Sequence, residues 1–227
     1  MFLKSKNFVQ TPEIKRYFIN DSAVCWELGT DIDRSINRRV INLYSSLKKN
    51  PLTGGREILD VVPSYKSIAI YFDPYTPNLD SQIEAADKII KSLLADEVEE
   101  PEITPAAIVV IPVVYDGPDI ERVASLNGLR VEEVPKIHTS SDYTVAMIAF
   151  RPYFPYLIGL DPRLHTPRLE FPRKKVPAGS VGIGGEQTGI YPEISPGGWN
   201  LIGKTDPGIL RILEPGTSIK FKQVKKL

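Results

Sequence analysis

Residues Val176–Pro192 read V-P-A-G-S-V-G-I-G-G-E-Q-T-G-I-Y-P, followed by S-P-G-G-W at Ser195–Trp199 and L-I-G-K-T at Leu201–Thr205. Ten of the sixteen glycines fall between Gly179 and Gly216. Glycine has no Cβ, so it admits positive φ and lets backbone approach a neighbour or ligand closely, at a cost in chain entropy. Concentrating it in one segment argues against a helix or a disordered tail. It predicts tightly turned β structure around a shaped cleft.

What precedes this segment is organised differently. Lys15–Asn20 and Ala23–Leu28 are rich in aromatic and β-branched residues and flank Asn20-Asp21-Ser22, which predicts a hairpin. Asp31–Asn50 places Ile32, Ile36, Val40, Leu43 and Leu47 on one helical stripe, and Pro51 ends it. Glu57–Val62 and Ser67–Phe72 form a second hairpin around Pro63-Ser64-Tyr65. Ser81 and Glu84 then form a capping box, opening a helix with Ile83, Ala86, Ile90 and Leu93 inward. The order ββαββα predicts a small α/β sandwich, a sheet covered on one face by two helices.

Asp96–Pro105, D-E-V-E-E-P-E-I-T-P, is acidic and proline-bearing, the composition of a boundary. At 227 residues the chain has room for two domains. The expected division is 1–100 and 101–227. The second lobe opens with Ala107–Tyr115, where Pro112 predicts an edge strand or a bulge. A helix near Asp119–Leu126 ends at Asn127-Gly128. Short apolar pieces cut by Pro and Gly follow, predicting a closed or nearly closed β barrel. The fold class is α+β.

Charge bounds the partners. With 28 basic and 28 acidic residues the net charge is zero, which gives no support to a nucleic-acid or membrane-surface partner. No apolar run approaches 18 residues, and the N-terminus lacks the apolar core of a secretory signal. One cysteine, Cys25, excludes an internal disulfide and a cysteine-based structural zinc site. It sits in the strand-like A-V-C-W-E-L and reads as a buried thiol. Two histidines, His138 and His165, are too few for a histidine metal cluster. A cytoplasmic protein without a resident metal is expected.

Gly198–Thr205 satisfies the phosphate-loop pattern G-x-x-x-x-G-K-[ST]. That motif needs a small-residue loop whose amides wrap phosphate, then a helix. Here Trp199, Leu201 and Ile202 are bulky, and Asp206-Pro207-Gly208 makes a turn. A strand ending in a tight turn is expected instead. Arg151-Pro152-Tyr153-Phe154-Pro155-Tyr156 is a stiff aromatic cluster, with Phe150 just before it. Phe150, Pro152, Phe154 and Tyr156 form either a binding surface or, through Phe150 and Phe154, part of the barrel core. Polar candidates beside the glycines are Arg163, Arg168, Arg173, Gln187 and Tyr191. A guanidinium fork suits a carboxylate or phosphate, and a glutamine amide can hold a lactam from both its donor and acceptor sides. Gln187-Thr188 lies between Gly184-Gly185 and Gly189, where a ligand could approach closely.

The glycine-rich stretch, with F-P-Y-L at Phe154–Leu157, L-D-P-R-L at Leu160–Leu164 and P-R-L-E-F-P-R at Pro167–Arg173, resembles the KipI-like family. That family includes 5-oxoprolinase B subunits, formerly called allophanate hydrolase subunit 1. The resemblance spans most of the chain and is densest from His138 to Thr205. It implies a cyclophilin-like second lobe. It also implies a subunit of an ATP-dependent 5-oxoprolinase, opening 5-oxoproline to glutamate only with companion subunits. ATP is then brought through the complex. Two other activities occur among relatives: inhibition of a sensor histidine kinase by docking, and a lobe of a biotin-dependent carboxyltransferase. The resemblance points to His138, in an H-x-x-x-x-Y setting with Tyr143, as a proton relay or donor. With Gln187 and Tyr191 it makes the candidate catalytic set, and Arg173 and Thr188 join the binding set. The chain departs from its relatives in two places. Ala149 and Tyr153 stand where relatives carry glycine in G-F-x-P-G-F. Tyr115-Asp116-Gly117-Pro118-Asp119 is shorter than their Y-G-G-E-F-G-P-D-like loop.

Overall fold

A computed structural model describes residues 14–50, 57–95 and 108–227. Pro51 and the Asp96–Pro105 segment lie outside the described residues. The chain divides into two compact units, Met1–Asp96 and Glu97–Leu227.

The first unit runs β1 (Lys15–Asn20), β2 (Ala23–Glu27), α1 (Arg34–Lys49), β3 (Ile58–Pro63), β4 (Ser67–Phe72) and α2 (Leu79–Ala95). Its four strands pair antiparallel in the order β1-β2-β4-β3. Alternate residues of β2 and β4 (Val24 and Trp26, Ile68, Ile70 and Phe72) meet Val40, Leu43 and Leu47 of α1 and Ile83 and Ile90 of α2 in one core. Asn37, buried on α1, donates to the carbonyls of Ser64 and Tyr65 and so fixes the helix to the β3–β4 turn. Cys25 is buried, as expected.

Both helix starts differ from the sequence reading. Asp33 accepts the amide hydrogens of Ser35 and Ile36, so α1 begins after it and Ile32 is left exposed. The second helix begins at Leu79, two residues before Ser81, which removes the capping box. Glu84 instead pairs with Arg16 of β1 at 2.7 Å. The inward stripe ends on Leu94, with Leu93 only partly covered.

The second unit contains β5 (Val109–Val113), α3 (Ile120–Leu126), α4 (Glu133–Ser140), β6 (Tyr143–Ile148), β7 (Pro155–Ile158), β8 (Arg173–Val176), β9 (Ser180–Gly184), β10 (Gln187–Ile190), β11 (Ser195–Gly197), β12 (Asn200–Lys204) and β13 (Ser218–Gln223). Seven strands form one sheet in the order β12-β9-β10-β7-β6-β13-β5, while β8 and β11 make a separate ribbon. Val114 and Lys204 exchange two backbone hydrogen bonds of 2.9 Å. They bring the two ends of the sheet together and leave a nearly closed barrel. Pro112 lies on the end strand β5, which pairs with β13 on one side, so a missing amide hydrogen is tolerated there. Ile111, Val145, Leu157, Val181, Ile202 and Phe221 fill the interior. The sequence pattern does not predict α4. It is two turns long and contains Pro135, yet Val134 and Ile137 pack into this core.

Candidate functional site

The glycines of β9 and β10 leave a floor on which an aromatic cluster sits. A Cβ on Gly184 would come within 2.5 Å of the Trp199 indole. One on Gly189 would meet the Pro155 carbonyl oxygen at 2.7 Å and the rings of Phe154 and Trp199 at 3.0 Å. Phe154 is the hub. Its ring centroid lies 4.9 Å from Tyr156, 5.1 Å from Tyr191 and 5.6 Å from Trp199, the last two nearly perpendicular. Edge-to-face contacts of this kind favour the positive ring edge against the negative face. Phe154, Tyr191 and Trp199 are buried with Val176 and Leu201 in a small core beside the main one.

Over that cluster opens a groove of about 250 Å³, walled by Phe150, Tyr156, Arg168, Pro172, Pro196 and Trp199. The Arg168 guanidinium lies 5.8 Å from the centre of the Trp199 ring. Burial raises the Tyr191 hydroxyl above its usual pKa, opposed by a hydrogen bond from the Trp199 amide and by the charges of Arg168 and Arg173. Burial likewise raises Tyr156, with Arg168 opposing. Both hydroxyls are neutral donors near neutral pH.

One wall is a strained turn. Phe150 and Tyr153 both have φ of 66°, and both are more than half exposed. Positive φ at a bulky residue is uncommon and costly. Glycine takes such a φ without strain, whereas Tyr153 holds it with a bulky side chain. Phe154, not Phe150, is the core aromatic. Phe150 meets it edge-on at 5.5 Å from the outside.

The other predicted residues lie elsewhere. His138 is fully buried on α4. Its Nδ1 lies 2.8 Å from the Tyr115 hydroxyl and its Nε2 3.1 Å from the Thr188 hydroxyl. Thr188 donates its proton to the Gly182 carbonyl, so it accepts from Nε2–H, and Nδ1 accepts from Tyr115. The ring also packs on Phe221 at 4.4 Å. Burial alone lowers the imidazole pKa to about 3. The structure thus pairs His138 with Thr188 in the barrel interior, and neither lines the groove. Gln187 begins β10, half-buried, with its Oε1 buried and without a hydrogen-bond partner. Pro152 is exposed in the strained turn. Arg173 bonds Asp119 at 2.6 Å and reaches the Trp199 carbonyl at 3.5 Å, bracing the far side of the groove wall.

Phe150, Phe154, Tyr156 and Tyr191 therefore come together as a site. Sequence reasoning misses Trp199, Pro172 and Pro196 as groove residues, and it gives Arg168 no preference over its neighbouring arginines. Trp199 does carry a signal: a tryptophan within a run of glycines marks a ring that needs room.

The phosphate-loop string does not form a phosphate cradle. Asn200–Lys204 is strand β12, and Lys204 pairs with Asp116 at 2.5 Å. The short loop is bound to the same strand, since Asp119 accepts the Leu201 amide at 2.7 Å. These residues do not fit a nucleotide. Among the described residues no group of three or more His, Cys, Asp and Glu is placed to hold a metal ion. No helix among them is long and apolar enough to cross a membrane.

Comparison with known proteins places this geometry in a family. Residues 14–212 match the model of the carboxyltransferase domain, subdomain C and D. The chain is 36% identical to the 5-oxoprolinase B subunit of Bacillus subtilis (strain 168) over 224 residues, covering 92% of each chain. It is also 36% identical to the 5-oxoprolinase B subunit of Escherichia coli O157:H7 over 221 residues, covering 92% of this chain and 96% of that one. Among solved structures, TTHA0988 superposes with a TM-score of 0.75 at 32% identity over 90% of this chain. The match spans only 41% of that longer chain. The chain belongs to the carboxyltransferase subdomain C and D family, alongside the 5-oxoprolinase B subunits.

Proposed function

We propose that this chain is a subunit of an ATP-dependent 5-oxoprolinase, converting 5-oxoproline to glutamate together with companion subunits in the cytoplasm. The observation that carries this is 36% identity over 92% of both chains to a protein named as that enzyme's B subunit. The open aromatic groove is consistent with it. An unactivated lactam needs its carbonyl oxygen turned into a leaving group, and phosphorylation by ATP does this. Residues Asn200–Lys204 form a strand rather than a phosphate loop, and in this reading ATP enters through the complex. In this reading the first unit is a small α/β sandwich and the second a cyclophilin-like barrel. Tyr191 and Gln187 remain candidates for the reacting surface, and His138 acts from behind it through Thr188 and β10.

The test is reconstitution. Purified chain alone, and mixed with its companion subunits, is assayed for glutamate release from 5-oxoproline with ATP. Turnover is expected only in the mixture. Robust turnover by the chain alone would refute the subunit reading. No turnover in any mixture would favour docking on a sensor kinase instead.

A further inference from the structure

We propose that the groove over Phe154 is itself a binding site for a small cyclic carboxylate, 5-oxoproline in the first instance, with Arg168 as the carboxylate anchor. This rests on the reading above for the identity of the ligand, but the site is argued from its own chemistry.

Three features converge. The walls are aromatic and rigid: Trp199 meets Phe154 and Tyr156 edge-to-face, Phe154 and Tyr156 pack tilted at 4.9 Å, and the glycines beneath admit no side chain. Flat apolar walls suit a small ring, and a volume of about 250 Å³ suits a ligand well below drug size. Of the arginines near the glycine-rich segment, Arg163 is held by Asp161 at 2.7 Å and Arg173 by Asp119 at 2.6 Å. Arg151 lies 3.6 Å from Glu193. Arg168 stands over Trp199 with no carboxylate in ion-pair range among the described residues, and it lines the groove. A guanidinium can offer two parallel N–H donors to a carboxylate, which a point charge cannot. Finally, Tyr191 lines the groove, and its hydroxyl, kept protonated by burial, is a donor for a carbonyl acceptor. A lactam carbonyl supplies that acceptor. The groove thus offers a fork for the carboxylate, a slot for the ring and a donor for the amide oxygen.

Every wall of the groove belongs to this chain, so binding must be visible without companion subunits. The chain has two tryptophans, Trp26 and Trp199. Trp26 is buried in the first unit with its indole hydrogen on Asp87 at 2.9 Å. The Trp199 indole resonance in a ¹⁵N NMR titration therefore reports the groove, with Trp26 as internal reference. Titration with 5-oxo-L-proline is expected to shift Trp199 and leave Trp26 in place. 2-Pyrrolidone, which lacks the carboxylate, should bind about tenfold or more weakly, the loss of a charge-assisted pair. Arg168→Gln should lose that same factor for 5-oxo-L-proline and no longer distinguish the two ligands. Arg168→Lys should recover only part of it. Arg168 is exposed, so its variants are expected to melt with the parent. An unmoved Trp199, equal affinity for the two ligands, or an unaffected Arg168→Gln would each overturn the assignment. None of these outcomes bears on whether the reconstituted complex releases glutamate, so the two readings fail separately.

Discussion

His138 illustrates how burial redirects a side chain whose chemistry invites a catalytic role. Both ring nitrogens are occupied, by Tyr115 and Thr188, and the ring is sealed against Phe221. Its folded pKa lies near 3, below the ordinary 6.5. Between these values the unfolded chain holds a proton that the native chain does not. Stability is therefore full above pH 6.5 and falls as pH drops toward 3, with a limiting slope of about 1.4 kcal/mol per pH unit. Thermal melts of the parent and of His138→Gln between about pH 7.5 and 5 should show this. The variant should start less stable, because it breaks the network, but should lose less on acidification. Parallel pH profiles would mean that His138 is not the group responsible.

At the scale of the element, the glycine-rich strands act as a mould. Gly189 on β10 opposes Tyr156 of β7 and lies under both Phe154 and Trp199. Gly189→Ala should clash with the Pro155 carbonyl oxygen and press on both rings, at a cost of about 1–3 kcal/mol, lowering the melting temperature by a few degrees per kcal/mol. Near-UV circular dichroism should lose aromatic signal in step. An unchanged melt would mean the rings are not seated as described. Much of this architecture is legible from residues alone. The hairpins, α1 and the end strand with Pro112 follow from period, turn residues and proline chemistry. What escapes does so for physical reasons. α4 is too short for a helical period to declare itself, and Pro135 within it reads as a breaker. Phe150 and Phe154 sit in one proline-bound cluster without alternation, so the residues alone do not say which ring is buried; in the structure it is Phe154. Trp199 falls inside a string that matches a phosphate loop, and that pattern hides its place in the groove wall.

The molecule as a whole is two units joined through an acidic, proline-bearing sequence. Limited proteolysis should cut first within Glu99–Pro105, releasing two fragments, before any cut within Val176–Thr205. The latter segment is largely buried and hydrogen-bonded in β9, β10 and β12. Early cleavage among the glycines would contradict a packed barrel.

The placement of β13 has a consequence for synthesis. Ser218–Gln223 lies between β6 and β5, pairing antiparallel with one and parallel with the other. The strand of this sheet that leaves the ribosome last is thus inserted into its interior, beside the strand that opens the unit. Until it arrives, β5 lacks its strand neighbour in the sheet, and Phe221 is missing from the packing around His138. The first unit, whose last helix closes at Ala95, can fold while translation continues. Strands β12, β9, β10, β7 and β6 can pair before then, but the barrel stays open between β6 and β5 until Gln223 has cleared the exit tunnel.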